Sequence, residues 1–104
     1  MPSNREYEIS LFDYYGDLLT EHQKEILRDY YYEDLSMNEI AENYCISKSA
    51  VQDLIKRSLH QLGDYENKLS LIRKDQELDK ILVKMKKENT ELLDRFVKEI
   101  EKIK

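Results

Sequence analysis

Breakers are nearly missing from this chain. Gly16, Gly63 and Pro2 are the only glycines and proline among 104 residues, and residues 64–104 contain neither. Sheet architectures need many tight turns, and tight turns lean on these two residue types. The apolar residues recur instead at spacings of three and four, the signature of one helical face, and no alternating run of useful strand length occurs. The chain therefore predicts an all-α fold of five to six helices with no sheet.

Tyr7, Leu11, Tyr14, Tyr15 and Leu18 predict the inner face of a first helix, with Gly16 as a stop or kink. Thr20 followed by Gln23 forms a capping box, and so does Ser36 followed by Glu39, so two further helices start there. Ile26, Leu27, Tyr30 and Tyr31 make the stripe of one, which should end near Tyr32 or Glu33. Ile40, Ala41 and Tyr44 face inward on the other. A turn, Cys45-Ile46-Ser47, leads to a longer helix capped by Ser47, with Val51, Leu54, Ile55, Leu59 and Leu62 inside. Gly63 is expected to end it, as a residue that tolerates left-handed dihedrals. Beyond it, Leu69, Ile72, Leu78, Ile81, Leu82 and Met85 keep a helical period. Asn89-Thr90 offers a break, with Thr90 as an N-cap, before Leu92, Leu93, Phe96, Val97, Ile100 and Ile103. The reading gives a core domain over residues 1–63 and a helical extension over 64–104.

Residues 37–56 meet the spacing of a helix-turn-helix. A small residue, Ala41, sits where two helices would cross, Ile46 follows the turn as an anchor, and Val51 and Leu54 line the second helix. Cys45 departs from the glycine usual in the turn, at a cost of about 1 kcal/mol if the left-handed backbone is kept. Lys48, Ser49, Gln52, Lys56 and Arg57 point outward, with Asp53 among them. Placed in a groove, Gln can read an adenine edge and Lys a guanine edge or a phosphate. The same geometry also serves protein contacts, so the motif alone does not decide function. Charge argues for restraint. The chain carries a net charge of −5, and residues 20–62 hold five basic residues against eight acidic ones. Tight binding to any nucleic acid regardless of sequence needs a basic footprint, which this is not.

The stretch Glu39-Ile40-Ala41-Glu42-Asn43-Tyr44-Cys45-Ile46-Ser47 resembles the helix-turn-helix in the last domain of sigma factors, and Tyr31-Tyr32-Glu33-Asp34-Leu35-Ser36 resembles the linker before it. A closer resemblance joins separated blocks in order: Leu11-Phe12-Asp13-Tyr14-Tyr15, Leu18-Leu19-Thr20 with Gln23, Ile55-Lys56-Arg57, and Tyr65-Glu66-Asn67-Lys68-Leu69. These are similar to the YlxM family of small bacterial proteins, over roughly residues 9–72. The resemblance implies a sigma-factor-like helix-turn-helix core, and a DNA-binding or regulatory protein linked with the signal recognition particle pathway. Its partner would be DNA, or a protein or RNA of that particle.

No constellation for catalysis stands out. Gly16 and Gly63 stand alone, so there is no phosphate-cradling loop, and His22, His60 and Cys45 lack metal-ligand spacing. A non-enzymatic protein without cofactor or metal is expected, with surface histidines and a half-buried Cys45 thiol. Tyr30, Tyr31 and Tyr32 fan over about 200° of helix, so they form no stacking platform, and Tyr31 is the one expected in the core. A lone cysteine fits a reducing compartment, no signal peptide opens the chain, and no apolar run could span a membrane. Cytoplasm is the expectation. Leu82, Met85, Asn89, Leu92, Phe96, Glu99 and Ile103 fall at heptad a and d places, with Glu99 a flaw, so the extension is expected to pair two chains into a homodimer.

Overall fold

The computed structural model describes residues 4–88 and 91–103. They form six α-helices and no strand: α1 Asn4–Tyr15, a 3-10 turn Gly16–Leu18, α2 Glu21–Tyr31, α3 Met37–Tyr44, α4 Lys48–Leu69, α5 Leu71–Lys87 and α6 Glu91–Ile103. Two compact units result, Met1–Leu69 and Ser70–Lys104.

In the first unit α4 is the common partner, packing on α1, α2 and α3. Its core draws Leu11, Phe12, Tyr15 and Leu19 from the first segment, and Ile26, Leu27 and Tyr31 from α2. Ile40 and Ala41 come from α3, and Val51, Ile55 and Leu62 from α4. The inner face of α1 is rotated from the expected one. Tyr7, Tyr14 and Leu18 are exposed, and Phe12 and Leu19 are buried in their place. A tyrosine keeps its hydroxyl in water at little cost, whereas Phe12 has no polar tip. The helix then tightens to 3-10 geometry at Gly16, which shifts the phase so that Leu19 turns inward. A Cβ on Gly16 would stand 3.0 Å from the Phe12 ring, so the ring would have to shift to admit one.

Both capping boxes form as expected. Thr20 and Gln23 exchange bonds at the start of α2, and Ser36 and Glu39 do so at the start of α3. Gln23 has a second task. Its Nε2 donates to Ser58 Oγ at 3.1 Å and to Gln61 Oε1 at 3.3 Å on α4. Ser58 is fully buried, so this amide satisfies a polar atom that water cannot reach.

The tyrosines tie the helices by their hydroxyls. Tyr31 donates to Glu8 at 2.5 Å, Tyr15 to Glu66 at 2.6 Å, Tyr44 to Asp29 at 3.0 Å, and Tyr32 to Asp13. Burial, first, and the bond to Glu8 hold the Tyr31 hydroxyl well above its ordinary range. The bond to Asp13 raises that of Tyr32, and burial with the bond to Asp29 raises that of Tyr44. A group that keeps its proton more tightly when folded contributes fully below the unfolded pKa, about 10 for tyrosine, and loses that contribution as pH rises beyond it. Thermal unfolding should therefore shift to lower temperature above about pH 10. Tyr31→Phe should flatten that shift, and a variant with an unchanged alkaline profile would contradict this account of Tyr31.

Gly63 does not end its helix. α4 runs on to Leu69. The inner face continues past Gly63, where Tyr65 meets the ring of Tyr15 and Glu66 accepts from the Tyr15 hydroxyl. Those contacts outweigh the roughly 1 kcal/mol that a mid-helix glycine costs. The break comes instead at Ser70, whose backbone is left-handed at φ 55.

In the second unit α5 and α6 pack on each other, and Lys86 Nζ reaches Glu101 Oε1 at 2.9 Å. Ile72, Leu82 and Val97 are its buried side chains. The helical extension is thus two helices, α5 ending at Lys87 and α6 beginning at Glu91. Asn89 and Thr90, the expected break and N-cap, lie outside the described residues.

Candidate nucleic-acid interface

The turn between α3 and α4 is built by Cys45. Its φ and ψ are 56° and 42°, left-handed, so the backbone conformation usual for glycine is kept without one. Ile46 N–H donates to Ala41 O at 3.0 Å and Cys45 N–H to Glu42 O at 3.3 Å. This is the Schellman pattern, which occupies the last carbonyls of α3 and reverses the chain. Ser47 Oγ then accepts from Ala50 N–H at 3.0 Å and starts α4. The thiol of Cys45 is exposed, not half-buried, and its Sγ lies 4.0 Å from Glu42 O at the end of α3. Cys45→Gly should raise stability by about 0.5–1 kcal/mol, relief of strain exceeding the added freedom of the unfolded chain. That corresponds to a melting point higher by about 3–6 °C, and a lower one would show that residue 45 is not left-handed.

Two side supports fix α3. Tyr44 bonds Asp29 on α2 and stacks edge-on with His22 at 5.7 Å. Ile40 is fully buried, and Ala41 is small enough to let α3 approach α4. α2, α3 and α4 thus hold one another at three points, and the outer face of α4 stands clear.

All five residues expected to carry a contact are on that face. Lys48, Ser49, Gln52, Lys56 and Arg57 are exposed along the first three turns of α4, a span of about 14 Å. Lys48 and Lys56 make no ion pair among the described residues. Arg57 does: its Nε lies 3.0 Å from Asp53 Oδ2, one turn back. Both partners are well exposed, so the pair is weak and a phosphate could compete for the guanidinium. The first turn of α4 holds no acidic residue. On α3, Glu39 and Glu42 are exposed as well. Glu39 is engaged in its capping box, whose hydrogen bonds from Ser36 hold its carboxyl below the usual range.

Elsewhere the expected residues divide. Leu82 is buried and Met85 half-buried, Asn89 lies outside the described residues, and Leu92, Phe96 and Ile103 are exposed on α6. His22 and His60 are on the surface, and no group of three metal-ligating side chains occurs among the described residues. No described helix is long and apolar enough to cross a membrane. Sequence reasoning missed Ser58 and Glu66 as buried polar groups. Both sit on the inner period of α4, with Val51, Ile55 and Leu62, and that spacing was the available signal.

A family model described as "Putative helix-turn-helix protein, YlxM / p13 like" matches residues 3–103. The chain is 46% identical over 76 residues to a UPF0122 protein of Bacillus thuringiensis (strain Al Hakam), covering 73% of this chain and 69% of that one. UPF0122 proteins of Bacillus cereus (strain 03BB102) and Bacillus anthracis (strain A0248) match with the same identity and coverage.

Proposed function

The chain belongs to the UPF0122 family of YlxM / p13-like helix-turn-helix proteins, and from that membership we propose a cytoplasmic regulatory or adaptor protein of the signal recognition particle pathway. Its contact surface is the outer face of α4, where Lys48, Ser49, Gln52, Lys56 and Arg57 meet nucleic acid. The observation that carries this reading is the exposure of all five on a helix buttressed from behind, with Lys48 and Lys56 left without an ion partner among the described residues. The family is one of helix-turn-helix proteins and not of enzymes.

The acidic balance selects among partners. Two lysines without an ion partner among the described residues and one arginine tethered to Asp53 give few phosphate contacts, and Asp53 on the same helix repels a long uniform backbone. A folded RNA within a ribonucleoprotein, held partly by protein contacts, suits such a surface better than bare duplex. A DNA-reading regulator is the second reading, favoured by Gln52 lying between Lys48 and Lys56, where it could meet an adenine edge. Fluorescence anisotropy of the full chain against the particle's RNA and a mixed-sequence DNA duplex separates them. The proposal expects tighter binding to the RNA, with a salt slope of only about two to three. Equal binding to both, or none to either, would sink it.

A further inference from the structure

The second unit is short of core. Eleven large apolar or tyrosine side chains are exposed among the described residues, and six of them lie in Ser70–Lys104: Leu71, Ile81, Val83, Leu92, Phe96 and Ile103. None of these six has the polar tip that excuses an exposed tyrosine. A unit of about 35 residues ordinarily needs a disulfide, a metal or a second copy to stay folded. Cys45 lies outside it and no metal-ligating group is present among the described residues.

α6 arranges its exposed apolar groups in a line. Leu92, Phe96 and Ile103 follow at steps of four and seven, so they share one edge of the helix, beside the edge that carries Val97. Ile103 is 85% exposed and Leu92 55%. Glu99 falls on the same line, and Arg95 flanks it. Neither has an ion partner among the described residues.

We infer that two copies of this chain associate through α6, antiparallel, with Leu92, Phe96 and Ile103 of each interleaved and Arg95 of each paired with Glu99 of the other. Direction follows from Glu99. In a parallel pair the two Glu99 carboxylates would face each other in the seam, a like-charge contact that costs association. In an antiparallel pair centred between Phe96 and Glu99, each Glu99 lies across from Phe96 of the other copy, about one residue along the axis from its Arg95. Leu92 then lies across from Ile103. The α5 half of the expected heptad seam has no part in it, because Leu82 is already buried. A seam of 13 residues is about 20 Å long, which suits a micromolar dimer rather than a nanomolar one.

Sedimentation equilibrium of the full chain tests this, with circular dichroism to check that each variant keeps its helix content. The unaltered chain should pass from monomer to dimer between about 1 and 100 µM. Phe96→Glu should remain monomeric across that range. Arg95→Glu alone and Glu99→Arg alone should each weaken the dimer about tenfold, and the two together should restore it to within about twofold. A chain that stays monomeric at about 100 µM overturns the inference, and so does a double variant no tighter than the single ones.

Discussion

Replacing Gln23 by alanine is expected to cost about 2–4 kcal/mol and lower the melting temperature by roughly 10–20 °C. The effect has two sources. About 1 kcal/mol is the capping box, because Thr20 N–H loses the Gln23 Oε1 acceptor at 3.0 Å. The larger part is the bridge to α4, whose loss leaves Ser58 Oγ buried without its donor. Gln23→Glu separates the two, since a carboxylate keeps the cap and loses the amide donor to Ser58 and Gln61. Its melting point should fall between those of Gln23→Ala and the unaltered chain. Thr20→Ala should cost only about 1 kcal/mol. If Gln23→Ala were no worse than Thr20→Ala, the bridge would contribute nothing.

The second large effect concerns binding. Lys48→Ala, Lys56→Ala and Arg57→Ala together should reduce nucleic-acid affinity about a hundredfold near physiological salt, and lower the salt slope by about two units. Two rather than three is expected because Arg57 is already neutralised by Asp53 and must leave it to meet a phosphate. All three side chains are exposed, so stability should change by less than about 0.5 kcal/mol for each. A gel-shift or anisotropy titration at several salt concentrations reads both quantities. Unchanged affinity would remove this face from the account.

Much of the first unit was legible because its signals are local. A capping box is read from four residues, and both boxes are present. The helix-turn-helix was legible from Ala41, Ile46 and Val51 for the same reason. What stayed hidden depends on contacts distant in sequence. Gly63 looked like a terminus because its propensity is visible, while the bond from Tyr15 to Glu66 that carries α4 past it spans 51 residues. Ser70, a left-handed residue with no glycine signature, gave no warning of the actual break. The same limit hid the pairing of tyrosines with carboxylates. Composition lists eight tyrosines and many acids, and only the packed helices show that Tyr31 takes Glu8 and Tyr44 takes Asp29. On α4 the candidate contact residues follow directly from period and cap, but the tether of Arg57 to Asp53, one turn apart, depends on the rotamers the two side chains adopt.

The central claim is that the outer face of α4 meets nucleic acid in a ribonucleoprotein. It is tested most directly by affinity capture from a bacterial lysate with the full chain and with the triple alanine variant, each before and after nuclease. The account predicts that the unaltered chain retains the RNA of the signal recognition particle, that nuclease releases the captured partner, and that the triple variant retains little of either. Capture of a protein that survives nuclease and binds the triple variant equally well would contradict it.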